Sequence, residues 1–123
     1  LQKVKYDIIL NILEKNKYGD TFKVQQCCPL VFYTINVLPD GTIYPCSHIR
    51  PPFKLGNVKE TTIYEAWNGA QKKAFMKDML ESGRFKMEAC KNCYIPQNTV
   101  MTPEDSIDAY AEEILERINR TQG

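Results

Sequence analysis

An α+β domain is predicted, a small two-stranded hairpin with flanking helices arranged around four cysteines. Three features predict it: apolar residues at helical spacing toward both ends, an aromatic and β-branched run that turns at Pro39-Asp40-Gly41, and a Cys90-Lys91-Asn92-Cys93 knuckle preceded by Cys27, Cys28 and Cys46. Helix and strand signals therefore share one short chain, with the cysteines at the junctions between them.

Val4, Ile8, Ile9, Ile12 and Leu13 fall on one helical face, so residues 3 to about 16 read as an amphipathic helix that Tyr18-Gly19-Asp20 ends. From Cys28 the chain becomes β-branched and aromatic through Val31-Phe32-Tyr33-Thr34-Ile35-Asn36-Val37, reverses at Pro39-Asp40-Gly41 and resumes as Thr42-Ile43-Tyr44. Asp40 and Gly41 are residue types that supply the positive φ of a tight turn, and Pro39 sits where its missing N–H disturbs no ladder. The returning strand delivers Cys46. A loop holding Pro51-Pro52 and Gly56-Asn57 follows, until Thr61 or Thr62 caps a helical stretch in which Ile63, Ala66, Trp67 and Ala70 share a face. Asn68-Gly69 separates this from a second helix over about 70–81, where Ala74, Phe75 and Met79 are expected to face the core, and Gly83 closes it. Thr102-Pro103-Glu104-Asp105 reads as a cap, a first-turn proline and an acid. The last helix follows, with Ile107, Tyr110, Ala111, Ile114, Leu115 and Ile118 in one stripe. The expected organisation is a linker helix over 1–26, a cysteine-bearing domain over 27–95 and an amphipathic helix over 96–123.

With 123 residues, 43% hydrophobic and 25% charged, the chain suits one soluble globular domain. Its core is thin, since a chain this small hides only roughly 65% of its unfolded surface. No apolar run reaches the ~18 residues of a membrane span, and no apolar leader with a small-residue cleavage site opens the chain. A net charge of +1 offers nucleic acid no grip. Residues 69–101 carry six basic and three acidic side chains and residues 102–123 two basic and six acidic, so these two helical regions are expected to attract each other. No Ser-His-acid order suggests a nucleophilic triad, and no glycine-rich phosphate loop is present.

Five cysteines are too sparse for a secreted disulfide scaffold and odd in number. Thiolate chemistry in a reducing compartment, the cytoplasm, is the expectation. A C-x-x-C knuckle aims two sulfurs at one metal, and two upstream cysteines complete the four that structural zinc and iron–sulfur clusters share. A tight hairpin brings its ends together, so Cys28 before the first strand and Cys46 after the second are expected side by side, with the helices returning Cys90 and Cys93 to them. Cys28 is favoured over Cys27 because it adjoins the strand, which leaves Cys27 as the alternate ligand or a small buried thiol. A metal held by all four closes long loops and staples the thin core.

The ordered set Cys28, Asp40-Gly41-Thr42-Ile43-Tyr44-Pro45-Cys46, Leu55-Gly56-Asn57-Val58, Glu65-Ala66-Trp67 and Cys90-Lys91-Asn92-Cys93 resembles the SPASM and twitch domains. These are the auxiliary iron–sulfur domains at the C-terminal end of many radical S-adenosylmethionine enzymes. The resemblance covers about residues 28–95 and implies a 4Fe-4S cluster on Cys28, Cys46, Cys90 and Cys93. The alternative is a zinc ion on the same four cysteines in a structural, protein-binding module. Larger SPASM domains continue with C-x5-C-x3-C, but Thr99 stands where the first of those cysteines would fall, so one cluster is implied and not two. The C-x3-C-x2-C motif of the family's catalytic barrel is also missing, so this chain alone is not expected to be catalytic. The barrel, and S-adenosylmethionine with it, is expected N-terminal to Leu1 in a parent oxidoreductase or maturase. With every cluster site taken by cysteine, the implied roles are electron transfer and positioning of a peptide or protein substrate. Lys91 and the knuckle amides are the expected tuning groups. His48 is expected to be a loop histidine bonded to backbone or solvent, Trp67 to pack in the core, and Phe32, Tyr33 and Tyr44 to pack on the hairpin.

Overall fold

The computed structural model describes residues 24–100 and 105–121, so the helix expected over 3–16 and the Thr102-Pro103 cap lie outside the described residues. Pro29 makes the first correction to the expected strand. Its ring fixes φ and removes an N–H, and the chain enters a 3₁₀ turn over Pro29–Phe32 where an extended run was expected. The Val31 amide donates to the Cys28 carbonyl at 3.3 Å, and the Thr34 amide and hydroxyl both donate to the Leu30 carbonyl, at 3.0 and 2.7 Å. These local bonds outweigh the β-branched composition. Only Asn36–Val37 remains as β1, paired antiparallel with β2, Thr42–Tyr44, with Asn36 opposite Tyr44 and Val37 opposite Ile43.

Between them the Gly41 amide donates to the Leu38 carbonyl at 2.9 Å, which places Pro39 and Asp40 at the centre of the turn. Gly41 alone takes positive φ, at 89°. Asp40 contributes differently from expectation, through a carboxylate that accepts the Thr42 amide at 3.0 Å. A third strand, β3 at Gly56–Asn57, pairs antiparallel with β2, so the sheet is a three-stranded meander of order β1-β2-β3 and not a lone hairpin. Gly-Asn is poor strand material by propensity. The turn holds it in place: Asn57 Nδ2 donates to the Asp40 carbonyl at 3.2 Å, and a Cβ at Gly41 would stand 2.7 Å from Asn57 Oδ1.

Thr62 caps α1, Ile63–Asn68, by accepting the Glu65 amide at 3.1 Å. After Gly69 comes α2, Ala70–Ser82, which stops at Gly83 (φ 76°), whose amide reaches the Met79 carbonyl. Phe75, Met79 and Ala66 are buried as expected, whereas Ala70 and Ala74 are exposed and Ile63 is 48% exposed. The inward face of α2 is Lys72, Phe75 and Met79 instead. Two further helices complete the described chain: α3, Ile95–Thr99, and, after a 3₁₀ turn at Asp108–Tyr110, α4, Ala111–Thr121. The last helix packs on α2, so the basic and acidic regions do meet. Ile107 and Ala111 lie against the core, while Tyr110 faces outward, off the expected stripe. No helix among the described residues is long and apolar enough to cross a membrane.

The core gathers Cys27, Cys28, Val31, Phe75 and Met79, with Phe53 edge-on to Phe75 at a centroid distance of 5.0 Å. Asp108 ties the C-terminal region to this core. Its two carboxylate oxygens accept the Gln26 and Cys27 amides, each at 2.8 Å. Asp108→Ala leaves both amides without this partner and is expected to cost about 2 kcal/mol, read as a lower thermal midpoint. An unchanged midpoint would show that water replaces the carboxylate without penalty.

Candidate metal centre

Cys28, Cys46, Cys90 and Cys93 line one cavity, and Cys27 does not. Each arrives by a different local device. Cys28 precedes the 3₁₀ turn and Cys46 follows β2 through a buried Pro45. The knuckle is folded by the Cys90 amide donating to the Met87 carbonyl and the Cys93 amide to the Cys90 carbonyl, both at 3.1 Å. Val31, Phe75, Met79 and Pro96 supply apolar wall. The cavity measures about 30 Å³, room for about one water molecule. Among the described residues no three His, Cys, Asp or Glu side chains stand close enough together to hold a metal ion. The sulfurs therefore ring a shared space without converging on one point, and a cluster as large as a cubane requires its walls to yield.

Burial pushes the Cys28 thiol up to about 12, with Cys93 and Cys90 adding to the rise. It pushes Cys90 up to about 11, with Cys46 and Cys93 adding, and raises Cys93, where Cys46 adds. Cys28, Cys90 and Cys93 thus each sense the charge of other cavity cysteines. Cys27, pushed up to about 11, is raised first by burial and then by Asp108, and its Sγ donates to the Met79 carbonyl at 3.5 Å. The donor set fits a soft metal or an iron–sulfur cluster, both of which take cysteine as thiolate and so release protons on binding.

A pH dependence follows for the chelator-stripped chain. A thiol whose folded value is raised from 9.0 to about 11 or 12 stays neutral in both states below pH 9, and above it the unfolded chain ionises first. The stabilisation is complete below about pH 9 and is lost as pH rises through about 11 to 12. Thermal midpoints flat at neutral pH and falling above about pH 9 are expected, and a midpoint rising through that window would contradict the burial of these thiols.

Two buried cations interact with the cysteines, although neither lines the cavity itself. Arg84 is 0% exposed; its Nε donates to the Gln25 carbonyl at 2.7 Å, and its Nη1 to the Cys93 and Cys90 carbonyls at 2.7 and 3.3 Å. Burial lowers its pKa, and Cys93, Cys28, Cys90 and then Asp108 act in the opposite sense. Lys72, also 0% exposed, donates to the Val31 carbonyl and lies 4.5 Å from the centroid of Trp67. Burial brings it down to about 8 against the opposing pull of Cys46 and Cys28. Sequence reading passed over both in favour of Lys91, but Lys91 pairs with Glu88 at 2.9 Å near the surface. The readable signal for Lys72 was its place three and seven residues before Phe75 and Met79, on the apolar stripe of α2. His48 lines the cavity and its Nδ1 accepts the Arg50 amide at 3.0 Å, the loop role expected of it. Tyr33, expected to pack on the hairpin, is exposed.

The site is a small α+β fold that brings four cysteines to one apolar cavity. The chain matches the SPASM family, the iron-sulfur cluster-binding domain, over residues 27–94, and it belongs to that family. It is therefore an iron–sulfur cluster-binding domain. No curated protein and no solved structure matches it.

Proposed function

We propose that Cys28, Cys46, Cys90 and Cys93 hold a single 4Fe-4S cluster and that the chain is the auxiliary cluster domain of a radical S-adenosylmethionine oxidoreductase or maturase. The observation that carries this reading is selective: the four cysteines at the family spacing line the same cavity, and the fifth turns to the Met79 carbonyl. A cluster held by four cysteines supplies one-electron transfer and has no open iron for substrate. The chain's own groups hold it, surround it with apolar wall and donate to the knuckle carbonyls through Arg84. The partner domain is the barrel that binds S-adenosylmethionine, the substrate a peptide or protein, and the compartment the cytoplasm, where thiolates stay reduced.

Anaerobic reconstitution followed by iron, acid-labile sulfide and zinc analysis tests this. About four irons and four sulfides per chain are expected. One zinc without sulfide, persisting after reconstitution, overturns the cluster reading in favour of a structural zinc module. The small cavity is the feature that favours that second outcome, because a lone ion needs less room than a cubane.

A further inference from the structure

We propose that Arg84 and Lys72 are the built-in counter-charges of the cluster, each offsetting one unit of the negative charge that four cysteinates leave on it and together raising its reduction potential. The inference rests on the 4Fe-4S reading above. A 4Fe-4S core with four cysteinates carries two negative charges when oxidised and three when reduced, so a fixed positive charge nearby favours the reduced form.

The two side chains have the properties this role needs. Both are 0% exposed, and fully buried Lys and Arg are rare without a compensating charge. Among the described residues neither forms a salt bridge. The carboxylate nearest in influence to Arg84 is Asp108, and both of its oxygens are engaged by the Gln26 and Cys27 amides. The guanidinium binds the carbonyls of both knuckle cysteines, yet its Nη2 is buried with no hydrogen-bond partner. That orphaned N–H is a donor left over on a guanidinium already bound to the knuckle backbone. Lys72 Nζ binds the carbonyl of Val31, a residue of the cavity wall in the chain segment that Cys28 opens. Cys46 and Cys28 act on Lys72, and Cys93, Cys28 and Cys90 act on Arg84, so each cation lies within electrostatic reach of part of the cysteine set. Two cations, with no acid paired to either, match the two negative charges of the oxidised cluster.

Dithionite titration of the reconstituted chain, followed by absorption and by the electron paramagnetic resonance signal of the reduced cluster, tests the role. Arg84→Gln and Lys72→Met are expected to keep iron and sulfide content while lowering the reduced-to-oxidised ratio at a fixed potential about tenfold each, equivalent to a midpoint about 59 mV more negative. Arg84→Lys keeps the charge and is expected to titrate like the native chain, which separates charge from packing. Should Arg84→Gln fail to fold, Lys72→Met and Arg84→Lys still decide the matter. Variants that hold a full cluster at the native potential overturn this inference alone. A native chain that binds zinc and no sulfide overturns the cluster reading, and this inference with it, at the analysis stage.

Discussion

Cys90→Ser is expected to abolish stoichiometric cluster binding and to lower the thermal midpoint of the reconstituted chain steeply. Serine keeps the shape but offers a hydroxyl that does not ionise near neutral pH, so one corner of the four-sulfur set is lost. A structural four-ligand metal site contributes roughly 10–16 kcal/mol of apparent folding energy, and losing one ligand forfeits several of these. The thin core gives the chain little reserve to replace it. Cys46→Ser is expected to behave alike, because Cys46 lines the same cavity from the sheet side. The check compares iron, sulfide and thermal midpoint before and after chelation. The native chain falls on chelation, while the variants start low and do not change. Variants that retain full iron and the native midpoint would contradict the ligand set.

The second large effect is a contrast between neighbours. Cys28→Ala is expected to lose the cluster, whereas Cys27→Ala is expected to keep its iron and sulfide and to lose only about 1–2 kcal/mol through the small void and the missing Sγ contact to Met79. Both thiols are buried, at 3% for Cys27 and 9% for Cys28, so burial does not separate them. Their surroundings do, since Cys28 borders the cavity and is influenced by Cys93 and Cys90, while Cys27 is influenced by Asp108. Iron and sulfide analysis of the two variants decides the assignment, and the opposite pattern would transfer the ligand role to Cys27.

The parts of the fold that were legible in the sequence are those fixed by local chemistry. The turn at Gly41, the cap at Thr62, the break at Asn68-Gly69 and the stop at Gly83 each follow from a residue whose backbone preference is strong. Misreadings arose where a single residue overrides the composition around it or where a distant residue decides. The run after Cys28 has strand composition, but Pro29 and the Thr34 hydroxyl bend it into a 3₁₀ turn. Gly56-Asn57 has loop composition, but Asn57 is drawn to the Asp40 carbonyl and becomes a strand by pairing with β2. The same contact makes Asp40-Gly41 and Gly56-Asn57, which stand apart in the sequence, one joint in the fold.

At the site, the cysteines were readable because their spacing follows the family pattern, while the buried cations were not, because a lysine or arginine is normally placed on the surface. Lys72 departs from that rule on the face of a helix otherwise spaced for the core. Arg84 gives no such periodic signal; its burial follows from the turn that Gly83 makes and from the three carbonyls that receive its donors.

The most direct test of the central claim is a crystal structure of the anaerobically reconstituted chain with anomalous diffraction measured at the iron edge. One compact iron cluster bonded to the Sγ atoms of Cys28, Cys46, Cys90 and Cys93 is expected, with Cys27 outside the ligand shell. A single zinc at that position, or iron held through Cys27 in place of Cys28, would contradict it.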